Sequence, residues 1–349
     1  MLTITESKGI ALARGSIVFL IAPIHCVMVY STPEVKQGPL GKIMAFFAEY
    51  PGAHLFMFLM GAFVVLSHDK PNSVIIKRAI LLLVTGWLLN VFKFVIPHLL
   101  HLLPENFYVN NHIVQDRYTT YHLLFINDIL QFASFAYLVC ALIRKASSPM
   151  VITCVSGLVV LVLSPVMWDR GTSGNLFINV IPDLLGGFPP KAYFPLFPWL
   201  FHCLSGMMFA LLLQKNRLNH TTFIVTGIVL VLFGHFISLL EPDAWHITFF
   251  RPGAGGTLLH NGITILWISL FVALSENVRS NKVFSFFEWY SNHITSIYLV
   301  QWCIIMWVLL LVGYEKSNNK QSLILIIAIS FISLFIVKVI TNIQSSKNE

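Results

Sequence analysis

The chain has 349 residues, of which 56% are hydrophobic and 11% charged, with a formal net charge of +7. Soluble domains carry roughly 25% charged residues, so a water-soluble globule is excluded and a polytopic membrane protein is expected, with the lipid bilayer as its first partner. The positive balance calls for no nucleic acid, because basic cytoplasmic loops supply it in membrane proteins.

A helical span takes about 20 apolar residues. Ten such runs follow one another, near 9–30, 53–68, 76–97, 119–143, 150–168, 194–214, 221–240, 257–275, 291–313 and 322–341. The expected fold is an all-α polytopic membrane protein, about ten transmembrane helices in one bundle, with a single membrane domain filling residues 1–349. The first run contains Arg14 and lacks a small-residue cleavage site, so it reads as a retained span and not a signal peptide. Pro23 in its middle is expected to kink it, which is tolerated only where polar partners or water meet the freed carbonyls. Arg14 and His25 lie eleven residues apart in this run. At about 100° per residue they share one helix face, about 16 Å apart along the axis. An ionisable residue inside a span is costly and is a functional candidate by default.

Loop charge orients the chain. Loops after even-numbered spans are short and basic: Lys70, Lys77 and Arg78; Arg144 and Lys145; Lys215 and Arg217; Arg279 and Lys282. Those after odd-numbered spans mix their signs: Glu34 with Lys36; Glu105, Asp116 and Arg117; Asp169, Arg170 and Asp183; Glu241, Asp243 and Arg251. The positive-inside rule then places both termini in the cytoplasm. Arg14 points to the cytoplasmic end of span one and His25 lies in its outer half. The longer loops 98–118, 169–193 and 241–256 are expected as outer caps.

Further polar residues interrupt the apolar runs. His54 opens span two on the outer side, either at the mouth of a cavity or as an interfacial histidine. Asp128 and Gln131 are three apart near the outer end of span four and share a face, as a site pair or as ordinary helix-start residues. His202 in span six is a site residue or a satisfied core histidine. Tyr298 and Gln301 in span nine share a face, for a site or for helix-to-helix contacts. Arg251-Pro-Gly-Ala-Gly-Gly is a glycine segment able to approach a ligand closely, but without the strand, helix and lysine of a phosphate loop. Thirteen histidines include no i, i+4 pair backed by acids, and five cysteines (Cys26, Cys140, Cys154, Cys203, Cys303) have neither zinc nor redox spacing, so no metal is expected.

Several segments carry a family resemblance over roughly residues 10–310. ARGSIVFLIAPIHCVMVY is similar to the first-span signature of acyltransferase family three proteins, an Arg followed after ten residues by His. The same segment, HLFMFLMGAFVVLSHDK with IIKRAILLLVTGWLLN, NDILQFASFAYLV and FPLFPWLFHCLSGMMFALL resemble successive spans of the heparan-alpha-glucosaminide N-acetyltransferase catalytic domain family. WYSNHITSIYLVQW resembles the penultimate span of both. The heparan-type enzymes tend to carry Asn where His25 stands and Arg where Phe132 stands.

The resemblance implies an integral membrane acyltransferase of the transmembrane acyltransferase superfamily. Such an enzyme takes an acyl group, acetyl by default, from cytoplasmic acyl-CoA to a hydroxyl or amine of a carbohydrate or glycan acceptor, without a metal. In that reading His25 is base or acyl relay, or else a buried structural histidine, and Asp128 orients it or holds sugar hydroxyls. Arg14 holds a CoA phosphate or snorkels to the interface, while Lys77 and Arg78 clamp CoA phosphates or anchor the loop. His54, Gln131, His202, Tyr298 and Gln301 complete the binding residues. The expected location is the bacterial cytoplasmic (inner) membrane, and a homo-oligomer is left open. The competing reading is a transporter or flippase for a polar or lipid-linked solute, against which Pro23 has no clear counterpart in the second half of the chain.

Overall fold

A computed structural model describes residues 3–168, 176–215, 219–242 and 249–346. Asp169, Arg170, Arg217 and Asp243, used above to orient the loops, lie outside the described residues. The described chain is helical, and eight helices are long and apolar enough to cross a membrane. They are Ile4–Tyr30 (α1), Pro39–Leu66 (α2), Asn72–Leu99 (α3), Pro149–Met167 (α5), Leu196–Gln214 (α6), His220–Leu240 (α7), Ala254–Asn277 (α8) and Asn319–Gln344 (α10). Two shorter apolar helices, Ile129–Arg144 (α4) and Ile294–Trp307 (α9), occupy the fourth and ninth positions. All ten expected spans therefore have a helix, and the protein is an integral membrane protein.

The differences lie at boundaries and follow from local chemistry. Residues 31–52, expected as loop, contain the helices Pro33–Gln37 and Pro39–Phe47. The second of these joins the helix Ala53–Leu66 through a π-turn at Ala48–Gly52. Pro51 in that turn has no N–H to give to the ladder, which widens around it. Pro97 acts likewise in α3, where Val91–Val95 takes π spacing just before it. Span four starts later than expected. The chain breaks between the short helix Thr119–Leu124 and α4, because Asn127 pairs with Ala192 as an isolated bridge and Asp128 caps α4 instead of continuing a helix. Ser291 and Asn292, expected in span nine, end a separate helix, Lys282–Asn292, that turns at His293 before α9.

The described chain divides into two compact units. A terminal unit comprises Thr5–Glu49, Leu89–Leu124 and Leu274–Glu349, and a central unit comprises Met1–Ile4, Tyr50–Leu88 and Phe125–Ala273. Lipid tails are as apolar as leucine, so helices in a bilayer associate by close packing more than by hydrophobic burial. The central unit shows this where α2 crosses α6. A Cβ on Gly61 would sit 1.8 Å from the Cys203 carbonyl oxygen, and one on Gly206 would sit 1.8 Å from that of Phe58. Two glycines thus bring the backbones together, and Phe132, Trp199, Cys203 and Met207 fill the core beside them. At the periphery, α7 exposes Leu232, Phe233 and Phe236, and α10 exposes Ile327, Phe331 and Phe335. Those spacings lay apolar stripes along one side of each helix, suited to acyl chains.

Candidate functional site

In the terminal unit, α1 packs on the helix Lys282–Asn292 at Gly15, where a Cβ would lie 1.9 Å from the Phe287 carbonyl oxygen. That approach lets the preceding residue reach across, and Nε of Arg14 donates to Oγ of Ser291 at 2.7 Å. Three turns further along α1, His25 meets α9. The side-chain amide of Gln301 lies against Nδ1 of His25, with Oε1 at 3.1 Å and Nε2 at 2.8 Å. An amide can serve either tautomer of imidazole. When Nδ1–H donates to Oε1, the lone pair falls on the imidazole Nε2, as a general base requires.

Aromatic and cationic groups complete this region. The Trp302 ring lies 4.1 Å from that of His25, tilted by 31°, and Tyr298 follows at 6.3 Å edge-on. On α3, Nζ of Lys93 stands 3.8 Å from the Trp302 ring centre and 4.5 Å from that of Phe94. Lys93 is 3% exposed, so it is an intramembrane cation held over aromatic faces. The π-turn before Pro97 carries it.

The central unit holds a second polar group. His54 opens the helix Ala53–Leu66, and its Nδ1 donates to the Tyr50 carbonyl at 3.2 Å. A carbonyl only accepts, so Nδ1 carries the proton and Nε2 the lone pair. The ring stacks on Trp199 at 4.7 Å, and the rings of His202 and His260 each lie 4.5 Å from it. Nδ2 of Asn261, next to His260, donates to Oγ of Ser205 at 2.6 Å. His54, His202 and Asn261 are almost wholly inaccessible. Nε2 of His54 and Nδ1 of His260 are buried without a hydrogen bond, and the His202 imidazole has the Asn261 amide as a hydrogen-bonding neighbour.

Arg251 frames that group. Its guanidinium donates to the carbonyls of Ala192 at 3.0 Å and Phe250 at 2.7 Å. Phe250 in turn accepts from Nε1 of Trp199 at 3.1 Å. Burial pushes the Arg251 pKa down to about 9. The glycine segment after it is the first turn of α8 and not a flexible strap, and there the Gly255 amide donates to Oε1 of Glu241 at 3.1 Å.

Asp128 and Gln131 form a reciprocal capping box at the start of α4. The Asp128 carboxylate accepts from the Ile129 amide at 2.8 Å, and Oε1 of Gln131 accepts from the Asp128 amide at 3.2 Å. Lys77 and Arg78 are exposed on the first turns of α3. Among the described residues, no group of three or more His, Cys, Asp or Glu is arranged to hold a metal ion. Sequence reasoning missed Lys93, His260 and Asn261. An ionisable residue within a span was itself the signal for Lys93, whereas no spacing ties His260 to His54 or His202.

The family model described as heparan-alpha-glucosaminide N-acetyltransferase, catalytic, matches residues 7–240. The matched stretch includes Arg14, His25, His54 and His202, and ends before His260, Tyr298 and Gln301. No curated protein and no solved structure matches the chain.

Proposed function

The chain belongs to the heparan-alpha-glucosaminide N-acetyltransferase catalytic family, and from that premise we propose a membrane enzyme that moves an acetyl group from cytoplasmic acetyl-CoA to a hydroxyl or amine of a hexosamine-type acceptor. The observation that carries the proposal is the imidazole of His25, set by Gln301 on the face of α1 that also presents Arg14. His25 takes the proton from the acceptor O–H or N–H as the acceptor oxygen or nitrogen attacks the thioester carbonyl. The C–S bond then breaks, and the departing thiolate receives the proton from the imidazolium. Gln301 holds the ring through Nδ1, and the Trp302 face limits rotation of the ring. Arg14, toward the cytoplasmic end of α1 in the orientation read from the loops, anchors the CoA end of the donor, with Ser291 setting its guanidinium. General acid–base assistance of this kind is worth about 10²–10⁴-fold.

The test uses purified protein in detergent with acetyl-labelled acetyl-CoA and glucosamine. The expected result is label transferred by the wild type and lost in His25→Ala, with unchanged size-exclusion behaviour. Turnover unaffected by the substitution would remove His25 as the base. A wild type that turns over no acyl-CoA but takes up solute in vesicles would replace the transferase with a transporter.

A further inference from the structure

We infer that His54, His202, His260 and Asn261 form a second polar site, in the central unit, for an uncharged ligand bearing hydroxyl groups, the chemistry of a sugar ring. The argument starts from what the buried atoms need. Nε2 of His54 is an acceptor, because Nδ1 of the same ring is committed as donor to the Tyr50 carbonyl. Oδ1 of Asn261 is an acceptor too, since the amide nitrogen is spent on Ser205. Each neutral imidazole of His202 and His260 brings one donor and one acceptor. Polar atoms left unpaired in an apolar interior are costly, and here the imidazoles of His54, His202 and His260 gather in one place on three helices, with Nε2 of His54 and Nδ1 of His260 unpaired.

A ligand that answers this set must donate and accept at several points. A hydroxyl does both, whereas a carboxylate, a phosphate or a thioester carbonyl offers acceptors only and leaves Nε2 of His54 unpaired. Among the described residues the group itself holds no carboxylate or fixed cation, and the guanidinium of Arg251 beside it is engaged by the carbonyls of Ala192 and Phe250. Aromatic rings pack around the group. Trp199 backs His54, and the Phe249 ring lies 5.5 Å from His54 and 5.4 Å from Trp199. Neutral hydrogen-bonding groups set among aromatic rings suit the hydroxyls and the C–H faces of a sugar. Depth agrees with entry from the outer side. His202 and His260 are each six residues past the first residue of α6 and α8, about 9 Å along the helix, and by loop charge those helices start outside. Naming this ligand as the acceptor of acetyl transfer rests on the function proposed above, while the recognition of hydroxyl groups does not.

The experiment is saturation-transfer difference NMR on the purified full chain in detergent, with N-acetylglucosamine as the probe. The wild type is expected to transfer saturation to the sugar ring protons. His202→Phe and His260→Phe, which keep ring volume and remove the polar atoms, are expected to raise the apparent Kd at least roughly tenfold. Both variants are expected to unfold at or above the wild-type temperature, because each removes buried polar atoms. His202→Gln, which restores an amide donor and acceptor, is expected to bind within a few-fold of wild type. No saturation transfer with wild type, equal affinity in both Phe variants, or equally tight binding of N-acetylglucosamine 6-phosphate would overturn the site. Acetyl-CoA turnover on the same preparations separates the two proposals. Sugar binding without turnover by wild type contradicts the transferase and leaves the site standing, whereas turnover without sugar binding contradicts the site alone.

Discussion

The protein carries two histidine regions, one in each unit, and they solve the problem of a polar ring in a membrane differently. In the terminal unit His25 is half-buried and engaged by Gln301, while Arg14 reaches Ser291. In the central unit His54, His202 and His260 crowd together, with Nε2 of His54 and Nδ1 of His260 unpaired. A partnered imidazole has a defined direction, which proton transfer requires. A cluster with unpaired nitrogens keeps its hydrogen-bonding capacity for something else, at a cost in stability. The difference is the one expected between the base proposed at His25 and the recognition site proposed in the central unit.

Substitutions can break or sharpen this contrast, and the largest effect is expected at the frame of the central unit. Gly206→Leu would drive a side chain into the Phe58 backbone, a clash with nowhere to relax. A loss of about 3 kcal/mol is expected, read as a fall in unfolding temperature in detergent together with loss of sugar binding. Next comes Arg14 of the terminal unit. Arg14→Ala is expected to raise the KM for acetyl-CoA by roughly 10–100-fold, the worth of a charge-assisted contact of about 1.5–3 kcal/mol, and to leave the sugar Kd unchanged. An Arg14→Ala enzyme with normal donor KM would remove the CoA-anchoring role. Gln301→Leu is expected to lower kcat about tenfold, one hydrogen bond's worth, with KM little changed. Equal losses in kcat for Gln301→Leu and Gln301→Glu would mean that the amide packs and does not orient. The smallest effect is expected at Lys77 and Arg78. Both are exposed, and their alanine variants should stay within about 0.5 kcal/mol in stability and within twofold in donor KM. A larger rise in KM would return them to the CoA site.

Much of this was legible in the sequence, for reasons that particular residues make plain. Apolar run length placed all ten helices because a bilayer fixes the length of a span, and Arg14 with His25 stood out because ionisable groups there are costly. The break before α4 was harder to read. Asn127 and Asp128 sit at the edge of an apolar run, and only their pairing with Ala192 and the Ile129 amide shows that they end one element and start another. The histidine cluster could not be assembled from sequence, since His54, His202 and His260 come from three distant helices and share no repeat. Gln301 was expected on a common face with Tyr298, but its contact with His25, 276 residues away, needed the fold. Lys93 was readable and was passed over among the aromatics around it.

The most direct test of the account is a double-mutant cycle between His25 and Gln301. Acetyl transfer from acetyl-CoA to glucosamine would be measured in the wild type, His25→Ala, Gln301→Leu and the double variant. If Gln301 acts only by holding His25, the double variant is as slow as His25→Ala alone, because nothing remains to be oriented. Losses that multiply would contradict the account, since Gln301 would then act independently of the imidazole it touches.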